Sequence, residues 1–395
     1  MQYKISDKMA AMKPSAIREI FKSLGTPGAI SFAAGNPAPE SFPTQEIAEI
    51  SKNILSENPT GALQYSITEG YPRLRKLVEK RLRERFSIDT DSNMTIITSG
   101  GQQGLELACK VLCNEGDVVI CENPSFIGAL NAFRSNGARL VGVPLCDDGI
   151  DIEALESALK EHKSTKLIYL IPTFHNPAGI TMSYEKRLAV YELARKYDVV
   201  ILEDNPYGEL RFEGKDVPTI KSLDKDGRVI YCSSFSKILS AGMRVGYVCA
   251  NETLVQKMVV AKQVEDVHTN IFFQMICADF IERYDLDAHI KKIQKLYLDK
   301  CHFMLDCLDK HAPEGLRYTR PEGGLFIWCT LPCGIKLDGL IDALGEKNVF
   351  VVPGVAFNCD EKAPSDSFRL NYSTPSYEEI EKGIKIICDT VRDMQ

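Results

Sequence analysis

Between about residues 94 and 250, short runs rich in β-branched and aromatic residues alternate with longer amphipathic stretches. "MTIITS", "DVVICE", "RLVGVPL", "KLIYLIP", "VVILED", "RVIYCSS" and "GYVCA" read as strands bounded by turn formers. Stretches between them, such as "IEALESALKEH" and "YEKRLAVYELARKYD", carry apolar residues at helical spacing. This alternation predicts a mostly parallel α/β sheet with helices on both faces. In such sheets ligands bind beyond the carboxyl ends of the strands, so unusual residues there are the candidates for function.

Beyond "ETLVQKMVVAKQVEDVH" the pattern predicts a long helical region at roughly 271–310 that bridges two domains. After it, "LRYTRPEGGLFIWCTLP", "VFVVPG" and "SFRLNYS" read as strands, with helices near 338–348 and 376–392. These predict a smaller C-terminal α+β domain. A chain of 395 residues with 44% hydrophobic content has enough apolar surface for one large core and a smaller one.

Composition narrows the class of partner. The net charge of −7 comes from dispersed acids, and no basic stripe of a nucleic-acid binder is present. A small-molecule partner is expected. The thirteen cysteines are odd in number, scattered and without a Cys-x-x-Cys pair, the nearest spacings being Cys109/Cys113 and Cys329/Cys333. Free thiols in a reducing cytosol account for them without metal or disulfides. The opening residues lack a signal-peptide core, and no apolar run approaches the ~20 residues of a membrane span. A soluble, cytoplasmic protein is expected.

Several features could carry chemistry. "MTIITS" runs into "GGQQGLELACKVL", where Gly100, Gly101 and Gly104 precede or open a helix. Free N–H groups at that helix start suit a phosphate, although glycine is also ordinary punctuation between strand and helix. Asp204 ends the strand "VVILED", as a turn former or as a functional acid. Asn176-Pro177-Ala178-Gly179 follows another strand, next to a His175 read as structural or surface. Finally, "YCSSFSKILSAGMRVGY" places Lys237 among small residues, with Arg244 nearby. A buried ammonium is costly unless it is paired or deprotonated.

Together, the lysine after a strand, the acid at a strand end, the Asn-Pro-x-Gly turn, the glycine-opened helix and Arg244 give the chain its resemblance to a known family. It resembles the fold-type I, pyridoxal-phosphate-dependent aminotransferases of class I/II, from "ISFAAGNPAPESFP" to "SFRLNYS". The resemblance implies a large domain with a mostly parallel seven-stranded sheet and a smaller α+β domain. It divides the chain into an N-terminal helix and arm (1–44), a large cofactor-binding domain (45–285) and a small domain (286–395).

The same resemblance implies site roles. Lys237 would be the Schiff-base lysine, Asp204 the partner of the pyridine nitrogen, and Asn176 and Tyr207 the donors to the ring's phenolate oxygen. Ser234, Ser236, Arg244 and the Gly101–Gln102 backbone would hold the phosphate, and Phe126 would stack on the ring. Gly101 and Phe126 stand where relatives often carry serine and tyrosine, so a hydroxyl is given up at each. Tyr65 would reach the neighbouring subunit's phosphate, making the enzyme a homodimer with shared active sites. Arg369 would grip the substrate α-carboxylate, beside Gly35 and Asn36.

"PSAIREIFK", "LQYSITEGY", "KQVEDVHT" and "RYTRPEGGLFIW" look most like the 2-aminoadipate/kynurenine aminotransferase group. There, an arginine of a mobile N-terminal helix meets a distal substrate carboxylate, and Arg18 matches it. The implied reaction is ping-pong transfer from an aminoadipate-type, aromatic or branched-chain amino acid to an oxo acid such as 2-oxoglutarate. A carbon–sulfur lyase or decarboxylase of the same fold is the alternative. A transcriptional regulator is disfavoured, because the ~30 residues before "ISFAAGNP" leave no room for a DNA-binding module.

Overall fold

The computed structural model describes residues 3–10, 12 and 28–395. Its strands begin with β1 (Ile30–Ser31), β2 (Asn93–Thr98), β3 (Val118–Asn123), β4 (Arg139–Cys146) and β5 (Gly149–Ile150). β6 (Thr165–Leu170), β7 (Val200–Asp204), β8 (Val229–Ser234) and β9 (Gly246–Asn251) follow. β2 to β9 form one sheet in the order β2-β9-β8-β7-β6-β3-β4-β5. The run from β8 to β4 is parallel, whereas β9 lies antiparallel between β2 and β8.

The seven expected strands are present, and an eighth corrects the count. Residues of β5 fold back antiparallel onto β4 through a tight turn, with Gly149 at a φ of +115°. Two residues are too few to show any alternation, so this strand leaves no periodic trace.

The inner strands of the sheet are buried on both faces. Tyr169, Leu202 and Cys232 belong to one apolar layer, whereas their chain neighbours Ile168 and Ile201 belong to the other. This two-residue period is why each strand reads as a nearly continuous apolar run.

The helical region expected at 271–310 is broken. Helix Ile271–Arg283 ends before Asp285, and helix Leu286–His311 begins after it. The Asp285 carboxylate accepts from the Ala288 N–H, so a side chain takes over a bond that helical backbone would make. In the C-terminal part, β10 (Arg317–Tyr318), β11 (Phe326–Thr330), β12 (Val349–Phe350), β13 (Val352–Pro353) and β14 (Ser367–Asn371) complete the strands. Four of them form an antiparallel sheet in the order β10-β11-β14-β13, and β12 pairs in parallel with β1. The last helix, Tyr377–Asp393, opens with a Ser376/Glu379 capping box and packs on Leu286–His311.

Candidate active site

At the carboxyl ends of β7 and β8 lies a cavity of about 340 Å³. Gly35, Asn36, Gly101, Gln102, Phe126, Asn176, Asp204, Tyr207, Ser234, Ser236, Lys237, Arg244 and Arg369 all line it. Thus the described residues expected at one site converge, except Tyr65.

One wall is formed by the start of helix Gly101–Leu112. Gly100 occupies its N-cap at a φ of +76°, and no side chain caps the helix. Its first N–H groups and dipole therefore suit an anion. The positive φ is what favours glycine at Gly100; a Cβ there would also stand 2.2 Å from the Arg244 guanidinium and push it aside. That guanidinium donates only to the carbonyls of Ala241 and Ser99, at 3.3 and 3.4 Å, and forms no ion pair among the described residues. Ser234 and Ser236 place their hydroxyl oxygens 2.6 Å apart opposite the helix start. Phe126 caps the neighbouring helix Ile127–Ser135, and its ring leans over Gly128.

Lys237 ends a single 3₁₀ turn, Phe235–Lys237, that follows β8 directly. Its side chain is half-buried and donates from Nζ to the Gly35 carbonyl at 2.7 Å. Burial, reinforced by the positive charges of Arg369 and Arg244, lowers its pKa from 10.5 to about 8. About a tenth of the amine is then neutral near pH 7, against less than about a thousandth for an ordinary lysine.

Asp204 is buried at the end of β7, with 4% of its surface exposed. Tyr169 donates to its Oδ2 at 2.8 Å. Burial pushes its pKa from 3.8 up to about 7, with the Tyr169 hydrogen bond working in the opposite direction. The carboxyl thus sits at the cavity without a positive partner among the described residues. Asn176 Nδ2 donates to the Tyr207 hydroxyl at 3.4 Å, and burial raises the Tyr207 pKa, so the phenol stays protonated.

Arg369, on β14, is 2% exposed. It donates from Nη1 to Asn176 Oδ1 and from Nη2 to the Ala33 carbonyl, each at 2.8 Å. Phe326 and Phe357 lie 4.2 and 5.1 Å from its charged carbon. Its Nε has no partner among the described residues, and burial lowers its pKa to about 10. A buried guanidinium with no carboxylate is costly by itself and is suited to gripping one.

The chain as a whole is similar to known proteins. Residues 27–387 match the family model described as "Aminotransferase class I and II". The chain is 42% identical to aromatic-amino-acid aminotransferase 1 of Thermococcus litoralis over 98% of this chain and 94% of that protein.

The chain belongs to the class I and II aminotransferases.

Two solved aminotransferases bear on the cofactor. A Pyrococcus horikoshii kynurenine aminotransferase in complex with PMP is 40% identical with a TM-score of 0.95, covering 98% of this chain and 97% of that one. An α-aminoadipate aminotransferase from Thermus thermophilus, complexed with N-(5'-phosphopyridoxyl)-L-leucine, is 36% identical with a TM-score of 0.90, covering 99% and 97%. The enzyme is a pyridoxal-phosphate-dependent transaminase. The cavity fits that cofactor: an uncapped helix start, paired hydroxyls, an arginine, a buried acid without an ion-pair partner among the described residues, and an amine all line it.

Tyr65 is 82% exposed, outside the transaminase's own cavity, with its ring edge-on to His268 at 6.0 Å. Arg18 and the helix expected at "PSAIREIFK" lie outside the described residues. His175 is buried, with Nε2 3.2 Å from Glu122 Oε2, and its Nδ1 accepts from the Ala178 N–H at 3.3 Å. It braces the turn that carries Asn176. Leu105, Ile171, Pro206 and Ala241 also line the cavity, and Tyr169 supports it from below. Apolar wall residues give no signal among other strand and helix residues. Tyr169 gives no signal either, because its reach to Asp204 depends on the pairing of β6 with β7.

Proposed function

We propose that this transaminase moves the amino group of an aminoadipate-type, aromatic or branched-chain α-amino acid to a 2-oxo acid, 2-oxoglutarate, in two half-reactions of a ping-pong cycle. The observation that carries this reading is Arg369, a buried guanidinium without a carboxylate among the described residues, lining the cavity that holds Lys237. The relatives named for aromatic amino acids, kynurenine and α-aminoadipate support the range of donors.

Bound pyridoxal phosphate supplies an aldehyde for the amine and a conjugated ring that accepts the electron pair left when the Cα–H bond breaks. Ser234, Ser236, Arg244 and the N–H groups of Gly101 and Gln102 would hold its phosphate. Asp204 would hold the proton on the ring nitrogen, Asn176 and Tyr207 would donate to the phenolate oxygen, and Phe126 would stack on the ring. Arg369 binds the substrate α-carboxylate as a two-pronged donor beside Asn176, Gly35 and Asn36. Lys237 would be the base that takes the proton from the substrate Cα and the acid that returns it.

Assembly and location follow the same reading. Tyr65, Leu63 and Val264, exposed by 82, 75 and 86%, support a homodimer in which Tyr65 reaches the partner's phosphate. Pairing of β1 with β12 supports grouping residues 1–44 with a small domain at 286–395, around a large domain at 45–285. All thirteen cysteines are free, in keeping with a cytoplasmic enzyme.

The test is a panel of amino acids incubated with the holoenzyme and 2-oxoglutarate. Formation of glutamate with aminoadipate or aromatic donors is expected. Release of ammonia or CO₂ without glutamate would make it a lyase or decarboxylase instead.

A further inference from the structure

Asp204 is served by one donor only among the described residues. Tyr169 lies on β6, the strand beside β7, and pairs in register with Leu202. Side chains alternate along a strand, so Tyr169, Leu202 and Asp204 point to one face, with Asp204 a further two residues along. A phenol is long enough to span that diagonal, and its hydroxyl meets Asp204 Oδ2 at 2.8 Å. The ring is fixed edge-on against Phe133, with centroids 5.2 Å apart, and Tyr169 is fully buried.

The surroundings of Asp204 offer nothing else. Its register partner on β8 is Cys232, and Leu105 and Ile171 are the apolar walls nearby. No ion pair reaches it among the described residues. Tyr169 therefore fixes one carboxylate oxygen and leaves the other to the cavity. A neutral hydroxyl donor favours the ionised carboxylate without cancelling its charge, which a lysine or arginine in that place would do.

We propose that Tyr169 is a positioning residue for cofactor protonation: by holding Oδ2 of Asp204 it aims Oδ1 at the pyridine nitrogen and keeps the acid in the form that retains that nitrogen's proton. This inference rests on the pyridoxal-phosphate reading of the site. Burial alone raises the proton affinity of Asp204, and the tyrosine is the one group that opposes it among the described residues. Without the hydroxyl, the acid holds its own proton more tightly and the ring nitrogen loses its hold on one. A ring that is less positive then withdraws fewer electrons, so the nitrogen joining it to Lys237 keeps its proton to higher pH.

The test uses Tyr169→Phe, which keeps the ring and its contact with Phe133, in the holoenzyme. Two readouts are followed, the pH midpoint of the cofactor's visible absorption and the cofactor's dissociation constant. We expect the midpoint to move to higher pH and the affinity to fall several-fold. The same substitution in an Asp204→Asn background should then change neither. A wild-type midpoint and affinity in Tyr169→Phe would overturn the proposal, as would an equal effect in both backgrounds, which marks a packing role. Failure of the wild-type protein to develop a visible band with the cofactor would instead overturn the cofactor reading itself.

Discussion

At the cavity, burial holds Lys237 and Asp204 towards their uncharged forms. Lys237 shows it best. Burial disfavours its ammonium, so between its folded pKa of about 8 and its unfolded value of 10.5 the folded chain binds fewer protons than the unfolded one. Folding stability from this group therefore rises with pH across that window. The neutral amine is also the form that attacks an aldehyde, so the rate of cofactor binding to cofactor-free enzyme should climb with pH, with a midpoint near 8. Stopped-flow absorbance across that range measures it, and a flat profile would refute the titrating lysine.

Asp204 has the opposite sign. Its pKa is raised from 3.8 to about 7, so its contribution to the stability of the cofactor-free enzyme falls as pH rises through that interval. Asp204→Asn should remove that part of the slope, which urea denaturation of cofactor-free enzyme at about pH 5 and about pH 8 reports. If Arg369 binds the substrate carboxylate as proposed, Arg369→Ala would remove two charge-assisted hydrogen bonds to it. We expect kcat/KM to fall about 10²–10⁴-fold for every amino acid alike. An effect confined to dicarboxylic donors would contradict the assigned role.

Most of the residues that touch the cavity were readable, because each sits at a strand end or helix start where a polar or glycine residue interrupts an apolar pattern. Tyr169 was not. It lies inside a strand, and its significance depends on the register between β6 and β7, which one strand's sequence does not carry.

At the level of elements, the site depends on how closely β8, β9 and helix Gly101–Leu112 approach one another. A Cβ at Gly104 would stand 2.7 Å from Cys232 Sγ, and one at Gly246 only 2.5 Å from the backbone carbon of Gly100. Side chains can shift, whereas the Gly100 backbone leads directly into the helix start. Gly246→Ala should therefore destabilise the protein by about 1–3 kcal/mol and weaken cofactor affinity as well. Urea midpoints and cofactor titration measure the two effects. A loss of stability with unchanged affinity would separate this glycine from the phosphate seat.

The elements also show where reading the sequence stopped. Strands buried on both faces announced themselves as apolar runs, and the last helix by its amphipathic pattern. The break at Asp285 was hidden because apolar residues continue on either side of it, and a single capping carboxylate decides the boundary. β5 was hidden by its length.

For the whole molecule, the exposed apolar surface around Tyr65 makes a prediction about assembly. Sedimentation should give twice the 44.1 kDa chain mass, and Tyr65→Phe should weaken cofactor affinity while leaving the dimer intact. A monomer with full activity would contradict a site shared between subunits. Arg18→Ala should weaken dicarboxylic donors selectively, and equal loss across all donors would remove its assigned role.

The fold holds Lys237 as a half-buried, partly neutral amine, and we propose that this lets it bond covalently to the cofactor. Borohydride reduction of the holoenzyme, followed by peptide mass spectrometry, tests this most directly. The account predicts a stable phosphopyridoxyl group on Lys237, absent from Lys237→Ala. A modified peptide containing a different lysine, or an adduct that survives the substitution, would contradict it.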